Sequence, residues 1–594
     1  MHILGISCYF HDAAAAILKD GLLVSAAEEE RFSRIKHDFG FPERAIRFCL
    51  DSVGLDPRDL DAVVFFEKPL VKFERILSTA MATAPRSSTV FRKAMTAWLL
   101  DKLWVKSRIR RALGVPPDRI LFADHHASHA ASAFFCSPFD EAAILTVDGV
   151  GEWTTTAMGR GQGRTLQLTH DLRFPHSLGL FYSAFTAFLG FEVNEGEYKV
   201  MGMAPYGVPR FQDEVRKVIR VSPDGAFALD LDYFSFHYSA TRTFSAKFEQ
   251  LFGPPRPPET PFFTASTGFP SYFGAKPGNF LQLAEENQKY ADLAASVQAV
   301  TEDILLRLAT VACERAGTTR LCMAGGVALN SVANGRILRE TPVTDLYIQP
   351  AAGDGGAAVG AALYGHHVVL GQPRRFVMNH AYWGASHGDA AIAQAVRDAG
   401  LRAEEMTDEA RLLDRTVDLL ARGQVIGWAQ GAFEWGPRAL GHRSILADPR
   451  RAEMKDIVNT KIKFREPYRP FAPSVPVARA GDYFDLPEPD RHLPARFMQL
   501  VAPVKDAARD RIPAVTHVDG SARVQVVTPE ASPRYHALIE RFGDATGVRV
   551  LLNTSFNLRG EPIVNTPGEA IATFLRSGMD ALVCDRHIIF RPSA

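Results

Sequence analysis

The chain has 594 residues, too many for one hydrophobic core, and at roughly 100–200 residues per domain it holds about two to four. Lys plus Arg and Asp plus Glu number 67 each, so no global charge draws it to nucleic acid or an anionic membrane. The six cysteines form no CxxC pair, which excludes a zinc ribbon or disulfide framework and suits a reducing cytoplasm.

The opening "MHILGIS" reads as a strand. It lacks a basic stretch followed by an apolar one, and no uncharged apolar run reaches the ~20 residues of a membrane helix. A cytoplasmic protein is expected. "AAAAILKDGLLVSAAEE" sets Asp20-Gly21 between two apolar runs, a hairpin signal. "PERAIRFCLDSVGL" has helical spacing, and "DAVVFF" reads as a buried strand. From 142 the layout returns as strand, acidic-glycine loop and hairpin, followed by the apolar helix "SLGLFYSAFTAFLGF". This is a repeat of architecture rather than of sequence. It points to a duplicated actin-like α/β fold, in which loops after the first strand of each half face a nucleotide. The prolines of "GPPRPPETP" bar a helix, and 233–285 reads as an insertion over the cleft. A long helix is expected over 284–317. Two strand, glycine turn and helix units follow. A linker near 366–377 divides an N-terminal domain, 1–366, from a second α/β domain, 380–594.

"ADHHASHAASAFF" sets His125 and His129 one helical turn apart. An HxxxH pair alone is weak, because core-satisfied or solvated imidazoles give the same spacing. Asp148 ends the strand "AAILTVD", and Asp354 lies in "GDGG" after the strand "LYIQP". In a duplicated fold both carboxylates reach strand ends, where ligands bind. Two imidazoles and two carboxylates suit iron(II), manganese or zinc. His126 points ~100° away on a helix and is not expected among them. "YKVMGMAPYG" with Lys199, "AGGVALN" with Gly325, Gly326 and Asn330, and "GDGGAAVG" offer flexible backbone and helix starts for nucleotide phosphates.

Residues 430–470 hold nine cations (Arg438, Arg443, Arg450, Arg451, Lys455, Lys461, Lys463, Arg465, Arg469) against five acids (Glu434, Asp448, Glu453, Asp456, Glu466). Arginine beside Gly and Pro on loops can hold a fixed fork for phosphate or carboxylate. A solvated basic face would favour lysine on helices. "LLNTSFNLRG" alternates Asn553, Ser555 and Asn557 on one strand face. No Ser–His–Asp order, nucleophile elbow or Walker loop is visible.

"LGISCYFHDAAAAIL", "EEERFSRIKHD", "HHASHAASAFF", "EYKVMGMAPYG", "GGVALN", "GDGGAAVGAA", "GPRALGHRSILADPR", "FREPYRPFAPS" and "LLNTSFN" together resemble the O-carbamoyltransferases of the nodulation-factor and antibiotic type. Such chains join a domain like the universal tRNA threonylcarbamoyl transferase to one like threonylcarbamoyl-adenylate synthase. The resemblance implies an ATP- and Mg2+-dependent carbamoyltransferase. Its C-terminal domain makes carbamoyl-adenylate from carbamoyl phosphate and ATP, with Arg438, Arg443, Lys463 and Arg469 as catalytic and donor-binding groups and Arg523, Asn553 and Ser555 completing the site. The N-terminal domain then carbamoylates a hydroxyl of a small natural product. His125, His129, Asp148 and Asp354 match its iron positions, and His11 and Lys36 match residues near the nucleotide phosphates and the transferred group. A homodimer is compatible with this reading. Two other readings are transfer to tRNA adenosine, which the neutral charge and the two half-reactions in one chain weigh against, and a non-enzymatic actin-like ATP switch, which leaves the arginine loops and the metal set unexplained. Segments 79–100 and 233–285 are expected to shape the acceptor pocket.

Overall fold

A computed structural model of the chain describes residues 1–100, 102–258 and 260–591. β1 (His2–Ser7), β2 (Ala14–Lys19) and β3 (Leu22–Glu28) form an antiparallel meander. The turn between β2 and β3 is Asp20-Gly21, with φ of 51° and 82°, the positive angles that a two-residue hairpin needs to match strand twist. α1 (Glu43–Val53) buries Ala45, Ile46, Cys49 and Leu50, the residues on one face at helical spacing, and ends at Gly54 in the left-handed conformation. β4 (Ala62–Phe65) and β5 (Ile120–Phe122) then run parallel to β1, giving the sheet order β3-β2-β1-β4-β5.

α2 (His125–Phe134) leads to the second half. β6 (Glu141–Val147), β7 (Thr154–Gln162) and β8 (Thr165–Arg173) form another antiparallel meander. α3 (Leu178–Phe188) and the long α4 (Phe280–Ala316) follow. β9 (Arg320–Ala324) is joined through α5 (Ser331–Glu340) to β10 (Asp345–Tyr347), and both strands run parallel to β6. The sheet order is β8-β7-β6-β9-β10. Strand for strand this repeats the order and senses of the first sheet, so the duplication expected of an actin-like α/β fold is present.

α6 (Ala357–Tyr364) locks the halves together. A side chain at Gly5 of β1 would meet the Ala358 carbonyl oxygen at 1.9 Å, and one at Gly360 would meet that of Ser128 in α2 at 1.9 Å. The backbones of β1, α6 and α2 touch because "AAVGAA" offers almost no side chain. That close packing sets the start of α6 over the start of α2.

The chain divides into two units. Unit 1 comprises Met1–Glu29, Phe39–Gly268 and Pro277–Met378, and unit 2 comprises Glu30–Asp38, Phe269–Lys276 and Asn379–Ala594. Inside 233–285, the short helix Ala246–Phe252 packs Phe248 and Phe252 on Phe185 of α3 at ring distances of 4.9 and 5.2 Å. The eight-stranded sheet of unit 2 contains β11 (Ala403–Glu405), β12 (Ile426–Ala429), β13 (Arg443–Ala447), β14 (Ala472–Pro476), β15 (Gln525–Val527), β16 (Leu551–Ser555), β17 (Ala581–Cys584) and β18 (His587–Phe590). Its order is β11-β18-β17-β12-β13-β16-β14-β15, with parallel and antiparallel pairs mixed. α7 (Glu409–Ala421) and α8 (Pro533–Thr546) cover it through Leu412, Leu420, Leu538 and Phe542, which pack on Trp428 and Leu446. α9 (Pro567–Arg576) opens with a capping box between Thr566 and Glu569. No helix among the described residues is long and apolar enough to cross a membrane.

Candidate active sites in the two units

All ten residues of α2 are buried, so its imidazoles stand away from bulk water. β6 delivers Asp148 directly after its last residue, and the turn before α6 delivers Asp354. The crossing of α6 on α2 brings the four side chains together. His125 Nε2 lies 3.0 Å from Asp148 Oδ2, 3.0 Å from His129 Nε2 and 3.5 Å from Asp354 Oδ1. His129 Nε2 lies 3.3 Å from Asp354 Oδ1 and 3.9 Å from Asp148 Oδ2.

These atoms fit a metal ion better than they fit one another. Both oxygens of Asp354 are buried without a hydrogen bond. Two nitrogens and two carboxylates spaced by 3.0–3.9 Å match adjacent ligands lying about 2.1 Å from one ion. Burial opposes a proton on His125, but Asp354 and Asp148 outweigh it and lift its pKa to about 9. Burial would raise Asp148, yet the two histidines and the Gly326 N–H hold it well below the usual carboxylate range. His126 stands apart. Its Nδ1 bonds Thr146 Oγ1 at 2.7 Å and its Nε2 bonds the Thr154 carbonyl at 2.9 Å, and burial beside two other imidazoles pulls its pKa down to about 3.

The loop "DGVGE" after β6 does more than present Asp148. A side chain at Gly151 would lie 2.9 Å from His125 Cβ, so glycine leaves room for that imidazole. Glu152 accepts the His125 N–H at 3.1 Å and the Lys68 N–H at 2.7 Å, which caps α2 and the helix Pro69–Ala82 from one carboxylate. The sequence reading passed over Glu152. Its signal was an acid four residues beyond Asp148.

His11, in the loop after β1, joins this centre. Its Nδ1 pairs with Asp12 Oδ2 at 2.9 Å and its Nε2 lies 3.9 Å from Asp354 Oδ2. Burial opposes its proton, but Asp354 and Asp12 raise its pKa to about 9. Lys36 belongs to the segment Glu30–Asp38 of unit 2. Among the residues expected at the nucleotide, Gly326 donates its N–H to Asp148 Oδ1 at 2.7 Å, and the Gly325 N–H donates to the Ala352 carbonyl at 2.8 Å. Asn330 caps α5 by accepting from the Ala333 N–H and exchanges bonds with Gln298. Lys199 lies over the Phe191 ring at 5.5 Å.

In unit 2 the expected cations divide into two groups. Arg443 has five N–H donors, and five backbone carbonyls receive them: Asn565 from Nε, Gln430 and His442 from one terminal nitrogen, Gly431 and Ala385 from the other, at 2.6–3.5 Å. With all five engaged by the backbone, this arginine brackets the loop. Glu434 closes the same loop from within, accepting the N–H groups of Leu440, His442 and Arg443 at 2.8–3.0 Å. Arg438 sits between these two anchors. Burial alone lowers its pKa to about 10.

Lys463 and Arg523 are the telling pair. Burial pushes both well below their ordinary ranges, and the charged neighbours that weigh on them are cations: Arg465 and Arg469 on Lys463, Arg438 and Arg469 on Arg523. Arg523 Nε is buried without a hydrogen-bond partner. Lys463 Nζ is held by Ser555 and Asn557, through backbone and side-chain oxygens at 2.5–3.3 Å. Arg469 has Glu466 at 3.5 Å. Clustered, desolvated cations of this kind repel one another unless an anion joins them.

Beside them runs a chain of amides. The Leu440 carbonyl can only accept, so Gln525 turns its Nε2 to it at 2.6 Å. Gln525 Oε1 therefore faces Asn553, whose Nδ2 donates to it at 2.7 Å and to the Ala439 carbonyl at 3.3 Å. That leaves Asn553 Oδ1 buried with no donor. A bound N–H group would satisfy it.

Comparisons with known proteins identify the family. A family model described as Carbamoyltransferase N-terminus matches residues 2–363, and one described as Carbamoyltransferase C-terminus matches 417–591. An uncharacterized protein of Synechocystis is 45% identical over 99% of this chain and 96% of its own length. Nodulation protein NolNO of Sinorhizobium fredii is 36% identical over 99% of this chain and 80% of its own. The 3'-hydroxymethylcephem-O-carbamoyltransferase of Streptomyces clavuligerus is 34% identical over 43% of this chain and 45% of its own. The chain belongs to the carbamoyltransferase family and is an enzyme that transfers carbamoyl groups.

Proposed function

We propose that the chain is an ATP- and Mg2+-dependent O-carbamoyltransferase that takes carbamoyl phosphate, forms carbamoyl-adenylate in unit 2, and carbamoylates a hydroxyl of a small natural product in unit 1. The observation that carries this reading is the cluster of Arg438, Lys463, Arg469 and Arg523, whose desolvated charges weigh on one another. A dianionic phosphate offsets that repulsion, and Asn553 Oδ1 offers an acceptor for the carbamoyl NH2. Arg443 supports this site by holding its loop.

The chemistry balances in two stages. Water takes the phosphoryl group of carbamoyl phosphate, leaving carbamate and inorganic phosphate. A carbamate oxygen then attacks the α-phosphorus of ATP, and pyrophosphate leaves. In the second stage the acceptor hydroxyl oxygen bonds to the carbamoyl carbon, the bond from that carbon to the adenylate oxygen breaks, and AMP leaves while the hydroxyl proton is lost. Arginine and lysine charges stabilise the leaving phosphates. His11 Nε2, held from its other side by Asp12, holds a proton in the second stage. His125, His129, Asp148 and Asp354 would hold a divalent transition metal, iron(II) by the family resemblance, which supplies Lewis-acid polarisation of an acyl or phosphoryl oxygen when bound.

The test needs no acceptor. Purified enzyme with ATP, Mg2+ and carbamoyl phosphate should release pyrophosphate and phosphate together, and Arg469→Ala should abolish both. Wild-type enzyme that releases no pyrophosphate under these conditions overturns the adenylate route.

A further inference from the structure

The segment Glu30–Asp38 follows β3 in sequence, yet it is part of unit 2. Its arginines explain why. Arg31 is buried, donates to the Gly436 carbonyl at 2.8 Å, pairs with Glu30 at 3.1 Å and lies over the Phe433 ring at 5.8 Å. The Phe32 ring meets Phe433 edge-on at 6.5 Å. Arg34 donates to the Ile563 and Pro562 carbonyls at 2.6 and 2.9 Å and pairs with Glu569 at 3.3 Å. Asn565 ties the two anchor points together: its side chain donates to the Arg31 carbonyl at 3.4 Å, and its own carbonyl accepts from Arg443 at 3.2 Å.

Gly436 stands two residues before Arg438, with φ of 102°. Glu434 and Arg443 fix the ends of the loop from inside unit 2. Arg31 grips its middle from a segment 405 positions away in the chain. We infer that Arg31 is a positioning residue for the carbamoyl phosphate site: through the Gly436 carbonyl it sets where the loop presents Arg438. Adenylate formation, carried by residues that the C-terminal family model spans, therefore depends on a segment that the N-terminal family model spans. This inference rests on the reading of the cation cluster as the donor site.

The geometry separates binding from general stability. Losing the grip leaves the guanidinium of Arg438 chemically intact but misplaced. A displaced charge-assisted contact corresponds to about a tenfold loss of affinity. The measurement is pyrophosphate release by the full chain, with carbamoyl phosphate and ATP varied in turn. Arg31→Ala should raise KM for carbamoyl phosphate about tenfold and leave KM for ATP within about twofold. Arg31→Lys should recover most of the loss, because an ammonium can also donate to the Gly436 carbonyl. Phe433→Leu, which removes the platform under Arg31 and keeps an apolar side chain, should shift the same constant by about threefold and serves if Arg31→Ala does not fold. An unchanged carbamoyl phosphate KM in these variants, or an equal rise in both constants, overturns the inference. Arg469→Ala, compared by carbamoyl phosphate binding in calorimetry, tells which idea has failed. If that variant binds like wild type, the donor-site reading falls and takes the inference with it. If it loses binding while Arg31→Ala does not, the inference alone falls.

Discussion

Arg443→Ala should damage stability before it damages donor binding. The guanidinium satisfies five backbone carbonyls, from Asn565, Gln430, His442, Gly431 and Ala385, and the side chain is 3% exposed. Truncation leaves those oxygens facing a hole. Water can enter and satisfy some of them, but each carbonyl left buried and unpaired costs roughly 1–3 kcal/mol. If two remain unpaired, the deficit is about 2–6 kcal/mol, and about 3 kcal/mol shifts the midpoint of a unit of this size by roughly 6–12 °C. The expected result is a lowered melting transition for Arg443→Ala, with carbamoyl phosphate KM close to wild type at temperatures where the variant is folded. Arg469→Ala should do the opposite and lose donor affinity with little change in melting. Differential scanning calorimetry and pyrophosphate release on the same preparations decide it. An Arg443→Ala enzyme that melts like wild type but no longer saturates with carbamoyl phosphate would refute the donor count and restore Arg443 as a ligand.

The remaining expectations concern the metal set and the amide chain. Purified wild type should bind about one equivalent of a divalent transition metal, His129→Ala should lose most of it, and His126→Ala should keep it while melting lower; elemental analysis showing the same metal in His129→Ala removes the assignment. Acetyl phosphate carries a methyl where carbamoyl phosphate carries NH2, so it leaves Asn553 Oδ1 unpaired, a penalty of roughly 1–3 kcal/mol or about 5- to 150-fold in discrimination. Asn553→Ala should erase most of that preference in a competition assay of pyrophosphate release, and an unchanged preference would place the carbamoyl group elsewhere.

Much of the fold was legible because its signals are local. Asp20-Gly21 forces a hairpin wherever it stands between apolar runs, and the 3.6-residue spacing of α1 and α4 marks their buried faces. The grouping of His125, His129, Asp148 and Asp354 was legible for a related reason: HxxxH fixes two imidazoles on one helix face, and strand ends in a duplicated fold converge. Contacts between distant segments were not legible. The sequence places Glu30–Asp38 beside β3, and only folding shows that Arg31 and Arg34 bond residues about 400 and 530 positions away. Glu152 caps α2 across 27 positions, and nothing in a single sequence tells a trans cap from a loop acid.

Arg438 and Arg443 show where sequence reasoning reaches its limit. They are five positions apart and of the same residue type, Arg438 in the loop and Arg443 at the first position of β13. Composition cannot separate them, because the difference lies in what surrounds each donor. Arg443 meets five carbonyls with five N–H groups and is spent. Lys463 brings three donors to four oxygens of Ser555 and Asn557 and is spent as well, so its contribution to a bound anion is charge rather than a hydrogen bond. Arg523 keeps a buried Nε with no acceptor, and Arg438 and Arg469 are the charges that weigh on it. A guanidinium whose donors are already matched has none to offer a ligand, and one with a donor left over does. Under the proposed function that accounting sets Arg523 at the anion and Arg443 behind it, whereas the sequence alone ranked Arg443 with the ligands.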